Sequence, residues 1–199
     1  MICCLDLEGV LVPEIWIQVS KKTKIKKLSL TTRDIPDYDV LMKQRLKILR
    51  ENHIKLKDIQ AVIAGMRPLP GARAFLDKLR SQRQVIILSD TYYEFAAPLM
   101  KKLGFPALFC NWLSVDKKGY IVDYHLRQRD GKQKAVRGLR NMGFHVKAAG
   151  DSYNDITMLK AAHEGVLFNP PFNIIKEYPF FQITKNYPQL FQALTRVTL

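Results

Sequence analysis

Cysteine is scarce, with three among 199 residues and two of them adjacent, Cys3 and Cys4. That count and spacing argue against a disulfide framework. No apolar stretch approaches the ~18–20 residues that cross a bilayer, so no membrane partner is expected. Asp6 and Glu8 interrupt the first apolar run too early for a secretory core, and a reducing cytoplasm is the expected location. His53, His125, His145 and His163 lack metal-ligand spacing. The chain has neither an internal repeat nor a low-complexity segment.

Acidic residues are also sparse, 18 against 32 basic ones, for a formal charge of +14. The basic excess is spread along the chain, with one dense block from Lys21 to Lys27, and basic residues do not alternate with aromatics. The block reads as a solvated helix face rather than a nucleic-acid site. The net charge would still steer phosphorylated small molecules toward the protein. An apolar share of 47% suits one main globular domain.

The strongest signals are two carboxylates at strand ends. Met1-Ile-Cys-Cys-Leu5 runs into Asp6-Leu-Glu-Gly-Val-Leu-Val12, and Val146-Lys-Ala-Ala149 runs into Gly150-Asp-Ser-Tyr-Asn-Asp155. The carboxyl edge of a parallel sheet is where such α/β folds bind ligands. Clustered carboxylates need a cation, and hard oxygen ligands favour Mg²⁺. These residues therefore point to Mg²⁺-dependent phosphoryl transfer with an aspartate nucleophile.

Between the motifs, helical spacing predicts helices over 14–28, 38–50 and 56–64, a block without strand signal that exits at Pro68-Leu-Pro-Gly71. Strand–helix alternation then resumes: helix 71–81, strand 84–89, helix 92–103, a β-hairpin over 109–127, helix 132–142, helix 155–163 and strand 165–168. A helix over 187–197 closes the chain. The fold class is α/β: a doubly wound, Rossmann-like parallel sheet with a small inserted helical cap and a β-hairpin. The expected division is a catalytic core of residues 1–12 and 68–199 around a cap of residues 13–67.

Asp6-Leu-Glu-Gly-Val, Ser89, Lys132 and Gly150-Asp-Ser-Tyr-Asn-Asp155 resemble the four ordered motifs of the haloacid dehalogenase-like phosphatases. Among these, residues 6–16, Thr32 to Arg45 and Ile87-Leu-Ser-Asp-Thr91 look like the ThrH-type branch of the phosphoserine phosphatases. The resemblance implies hydrolysis of L-phosphoserine and phosphoryl transfer to homoserine. It makes Asp6 the nucleophile and Glu8 the acid/base, although glutamate replaces the aspartate more usual there. Asp6, Asp151, Asp155 and the Glu8 carbonyl would hold Mg²⁺, with Ser89 and Asn154 on the phosphate.

The family spacing favours Lys132 over Lys134 as the cationic partner. Glu14 would hold the substrate ammonium and Arg45, with Arg33 as a rival, its carboxylate. Asp90 and Thr91 follow Ser89 where small glycines are commoner, which narrows the phosphate pocket. Two rival readings stay open: a phosphatase for another small phosphoester such as a nucleotide, and a basic binding protein that keeps the fold without turnover.

Overall fold

The computed structural model describes residues 1–31, 34–35 and 37–196. Among these run β1 (Ile2–Leu5), β2 (Gln84–Tyr92), β3 (Ala107–Val115), β4 (Ile121–His125), β5 (Val146–Gly150), β6 (Glu164–Phe168) and β7 (Gln182–Thr184). They form a sheet in the order β4-β3-β2-β1-β5-β6-β7, parallel except for the β3–β4 hairpin. The helices are α1 (Ile15–Thr23), α2 (Tyr38–Glu51), α3 (Leu56–Gly65), α4 (Ala72–Arg80), α5 (Tyr93–Lys102), α6 (Gly131–Asn141), α7 (Ile156–Ala161), α8 (Phe172–Glu177) and α9 (Tyr187–Thr195).

Because side chains alternate along a strand, β1 feeds two cores. Cys3 and Leu5 join an apolar cluster with residues of α1–α5 and α9. Ile2 and Cys4 join a second cluster with residues of α6, α7 and α8. Each fully buried aliphatic side chain contributes roughly 1.5–3 kcal/mol, so both faces of the sheet are held. Burial raises the Cys3 and Cys4 thiols to about 11 and about 12, which makes them packing groups. No helix among the described residues is long and apolar enough to cross a membrane.

The helical segment between β1 and α4 shares the first of these clusters. One bond shows how closely it is fitted. Pro98 inside α5 cannot donate to the Glu94 carbonyl one turn back, and Gln60 of α3 donates to that carbonyl instead, at 2.9 Å. Tyr38 and Tyr92 add a hydroxyl pair at 2.7 Å between α2 and the end of β2.

Several boundaries differ from the sequence reading. The helix expected over 14–28 stops at Thr23, because Lys24 adopts a left-handed backbone with φ 61°, and a short 3₁₀ turn follows over Lys26–Ser29. β2 continues past Ser89 to Tyr92 through an irregularity in its register with β3. The helix expected from Asp155 opens as a 3₁₀ turn over Tyr153–Asp155. α8 and β7 fall between residues 169 and 186, where the sequence predicts no element. Arg33, Val197 and part of the Thr32–Arg45 motif lie outside the described residues.

Candidate active site

β1 and β5 are neighbours in parallel register, Leu5 beside Ala149, so the residues after them emerge at one sheet edge. After Asp6 the chain turns tightly: the Leu7 carbonyl accepts from the Leu11 and Val12 amides, and Gly9 N donates to Val12 O. Gly9 carries φ +76°, and a Cβ there would lie 2.3 Å from the Asp151 carboxyl carbon. Glycine is required on both counts. Gly150 is equally confined, with Asp155 Cβ 2.4 Å from the position its own Cβ would take.

These close approaches gather Asp6, Asp151 and Asp155 so that one oxygen from each lies within 4.8 Å of the others. Lys132, in the first turn of α6, enters the same cluster. Its Nζ lies 2.9 Å from Asp6 Oδ1, 2.8 Å from Asp155 Oδ1 and 3.2 Å from Asp90 Oδ2. Lys134 is exposed, so Lys132 is the lysine that reaches the carboxylates. Asp155 is fully buried, and its Oδ2 accepts from the amides of Asp151 and Ser152. Asp6 Oδ1 also accepts from Leu7 N at 2.8 Å.

The electrostatics follow from burying several negative charges around one positive charge. Burial, then the charge of Asp155, holds the Asp6 carboxyl well above the usual range, with Lys132 pulling the other way. Burial and Asp155 push Asp151 up to about 7. Burial opposes the charge of Lys132, yet Asp155, Asp6 and Asp90 keep it firmly protonated. Asp151 Oδ1 is buried without a hydrogen-bond partner among the described residues. A crowded set of hard oxygens, two of them on carboxyls forced toward protonation and one without a donor, fits a hard divalent cation. Asp6, Asp151 and Asp155 are the side chains that could hold it.

Glu8 Oε2 accepts from Ile15 N at 2.6 Å, at the start of α1. Burial and the neighbouring Glu14 carboxylate raise its carboxyl to about 8. Glu14 itself is exposed. Ser89 is buried, and its Oγ accepts from Thr91 N at 3.2 Å, which leaves the hydroxyl proton free to donate. Asn154 lies in the 3₁₀ turn, where its Oδ1 accepts from Ser152 Oγ and its Nδ2 donates to Asp90 Oδ2 at 3.1 Å.

Burial disfavours the charge of Arg45, and Glu8 and Glu14 are among the groups that favour it. Arg45 is buried, with its guanidinium carbon 4.5 Å from the Trp16 ring centroid. One terminal nitrogen donates to Leu30 O at 2.7 Å, and its Nε finds no hydrogen-bond partner among the described residues. The residue that sequence reasoning passed over is Asp90, noted only for narrowing the pocket. Its contacts with Lys132 and Asn154 depend on the bulge after Leu88, which the strand pattern does not reveal.

Comparison with known proteins places the chain in a family. The model of the haloacid dehalogenase-like hydrolases matches residues 1–163. The chain is 57% identical over 189 residues to the phosphoserine phosphatase ThrH of Pseudomonas aeruginosa, covering 95% of this chain and 92% of that one. It is 56% identical over 189 residues to a phosphoserine phosphatase of Pseudomonas syringae pv. tomato, covering 95% and 80%. The fold superposes on the solved structure of a phospho-aspartyl intermediate analogue of phosphoserine phosphatase with a TM-score of 0.79, at 17% identity, covering 97% of this chain and 98% of that one.

Proposed function

The chain belongs to the haloacid dehalogenase-like hydrolases, and from that premise we propose that it hydrolyses L-phosphoserine through an aspartyl-phosphate on Asp6. Mg²⁺ is the proposed cofactor, homoserine a second acceptor and the cytoplasm the location. The observation that carries the chemistry is the buried cluster of Asp6, Asp151, Asp155 and Lys132. The substrate is carried by the 57% identity to a phosphoserine phosphatase.

Asp6 attacks phosphorus as the bond to the serine oxygen breaks, dividing one difficult transfer into two easier ones. With a carboxyl at about 8, Glu8 holds a proton at neutral pH and donates it to the departing oxygen. It then takes a proton from the entering water or homoserine hydroxyl, a role worth roughly 10²–10⁴-fold in such enzymes. Lys132 stabilises the charge that develops around Asp6, and Ser89 and Asn154 donate to the phosphoryl oxygens. Asp6, Asp151, Asp155 and the Glu8 carbonyl hold the cation, which when bound neutralises the crowded carboxylates and the phosphoryl charge.

Residues 13–67 serve as a cap over this edge. Glu14, beside Glu8, receives the substrate ammonium. Arg45, preset by Trp16 and Leu30 and with Nε unpartnered among the described residues, receives the carboxylate through its planar fork. How fully the cap excludes water decides between hydrolysis and transfer to homoserine.

The test is phosphate release from L-phosphoserine with and without Mg²⁺, beside Asp6→Asn. Mg²⁺-dependent release abolished in the variant supports the reading, and phosphohomoserine formed on adding homoserine extends it. Cleavage of an aryl phosphate but not of phosphoserine would keep the chemistry and overturn the substrate.

A further inference from the structure

Asp90 sits where β2 departs from its register with β3, and its side chain is 48% exposed. A single oxygen, Oδ2, lies 3.2 Å from Lys132 Nζ and accepts from Asn154 Nδ2 at 3.1 Å. Lys132 and Asn154 are two of the groups to which the proposed function assigns phosphoryl charge. We infer that Asp90 is a resident anion in the phosphoryl subsite, a built-in competitor that an entering phosphate displaces; this rests on the function proposed above.

The three carboxylates on Lys132 are unequal. Asp6 and Asp155 are buried, and each is further tied to backbone amides. Asp90 makes the longest of the three contacts and is the one open to solvent. It is therefore the partner that yields. An incoming ligand must replace the charge-assisted hydrogen bonds that Asp90 makes to Lys132 and Asn154. A phosphate, with up to two charges and several acceptor oxygens, can do so, whereas a ligand bearing one carboxylate offers no advantage over Asp90. The aspartate thus sets a charge threshold for entry, and its return to Lys132 helps expel the phosphate product.

Inorganic phosphate provides a direct probe. Its affinity is measured by titration calorimetry at neutral pH with Mg²⁺ for the wild type, Asp90→Asn and Asp90→Ala, alongside kcat and KM for phosphoserine. Asp90→Asn keeps an oxygen for Asn154 and removes the charge. Both variants are expected to bind phosphate about tenfold more tightly, a change of about 1.4 kcal/mol. KM should fall, and kcat should fall with it as phosphate leaves more slowly. Unchanged or weaker phosphate binding in both variants, or no measurable binding by any of the three proteins, overturns the inference and leaves Asp90 as a brace for Lys132. A wild type that binds phosphate but does not cleave phosphoserine would overturn the substrate assignment alone.

Discussion

Two buried lysines stand at opposite ends of the sheet. Lys132, at the carboxyl edge, is shared by Asp6, Asp155 and Asp90. Lys147, near the start of β5, meets one carboxylate, Glu164 Oε2 at 2.9 Å, and two carbonyls, Ala193 O at 3.0 Å and Arg196 O at 2.7 Å. Those carbonyls belong to the end of α9, where a helix leaves acceptors unmatched and its dipole favours a cation. An ammonium has three donors, and Lys147 divides them among partners that one positive charge can balance. Lys132 faces a surplus of negative charge, and Asp151 Oδ1 in the same cluster has no donor among the described residues. The balanced pole holds the fold together, while the unbalanced pole sacrifices stability for a site that attracts cations.

The sharpest separation of the two poles comes from Asp6→Asn. It should lower phosphate release by at least about 10⁴-fold, as loss of a nucleophile does elsewhere. Its melting temperature should not fall, because burial already disfavours a charge at this position. A variant that melted early would undo the contrast.

Lys147→Met should do the reverse. Two helix-end carbonyls lose a donor and Glu164 loses one of its partners, and stability to urea should drop by about 3 kcal/mol. Turnover per folded molecule should stay near that of the wild type.

Asp151→Asn examines the surplus itself. The folded carboxyl, raised to about 7 from 3.8, binds a proton more tightly than the unfolded one. Its contribution to stability is therefore complete below pH ~4 and is lost as pH rises through about 7. In EDTA, the melting temperature of Asp151→Asn should gain on the wild type across that window, while the variant loses Mg²⁺ binding by calorimetry. An equal offset at every pH would mean that the carboxyl is not strained.

An exposed cation sets the floor. Arg50 pairs with Asp116 at 3.2 Å, with side chains 57% and 28% exposed. Arg50→Ala should shift stability by no more than about 1 kcal/mol in urea unfolding.

The contrast between the poles also marks what the sequence could convey. Asp6, Asp151, Asp155 and Lys132 were legible because each falls at a strand end or helix start whose local pattern is plain, and their motif order sets one beside another. The four buried positions of α4, Ala72, Phe75, Leu76 and Leu79, were likewise readable from helical spacing. Lys147 was visible only as a polar interruption in β5, since its partners Ala193 and Arg196 lie far along the chain. β7 spans three residues, too few for a periodic signal. Lys24 takes a backbone conformation normally left to glycine, so a continuous helix was the natural reading there. Asp90 depended on a bulge, which local propensity does not encode.

The place of β1 has one more consequence. It lies in the middle of the sheet, with Ile2 opposite Gln84 on one side and Val146 on the other. β1 precedes both neighbours in the chain and gains the second, β5, only after β2 and the helices between them have been made. Contacts so distant in sequence form slowly and leave apolar strand edges open in the meantime. Cys3, Cys4 and Leu5 therefore need cover in the nascent chain until β5 arrives, and Asp6 can meet Asp151 only then.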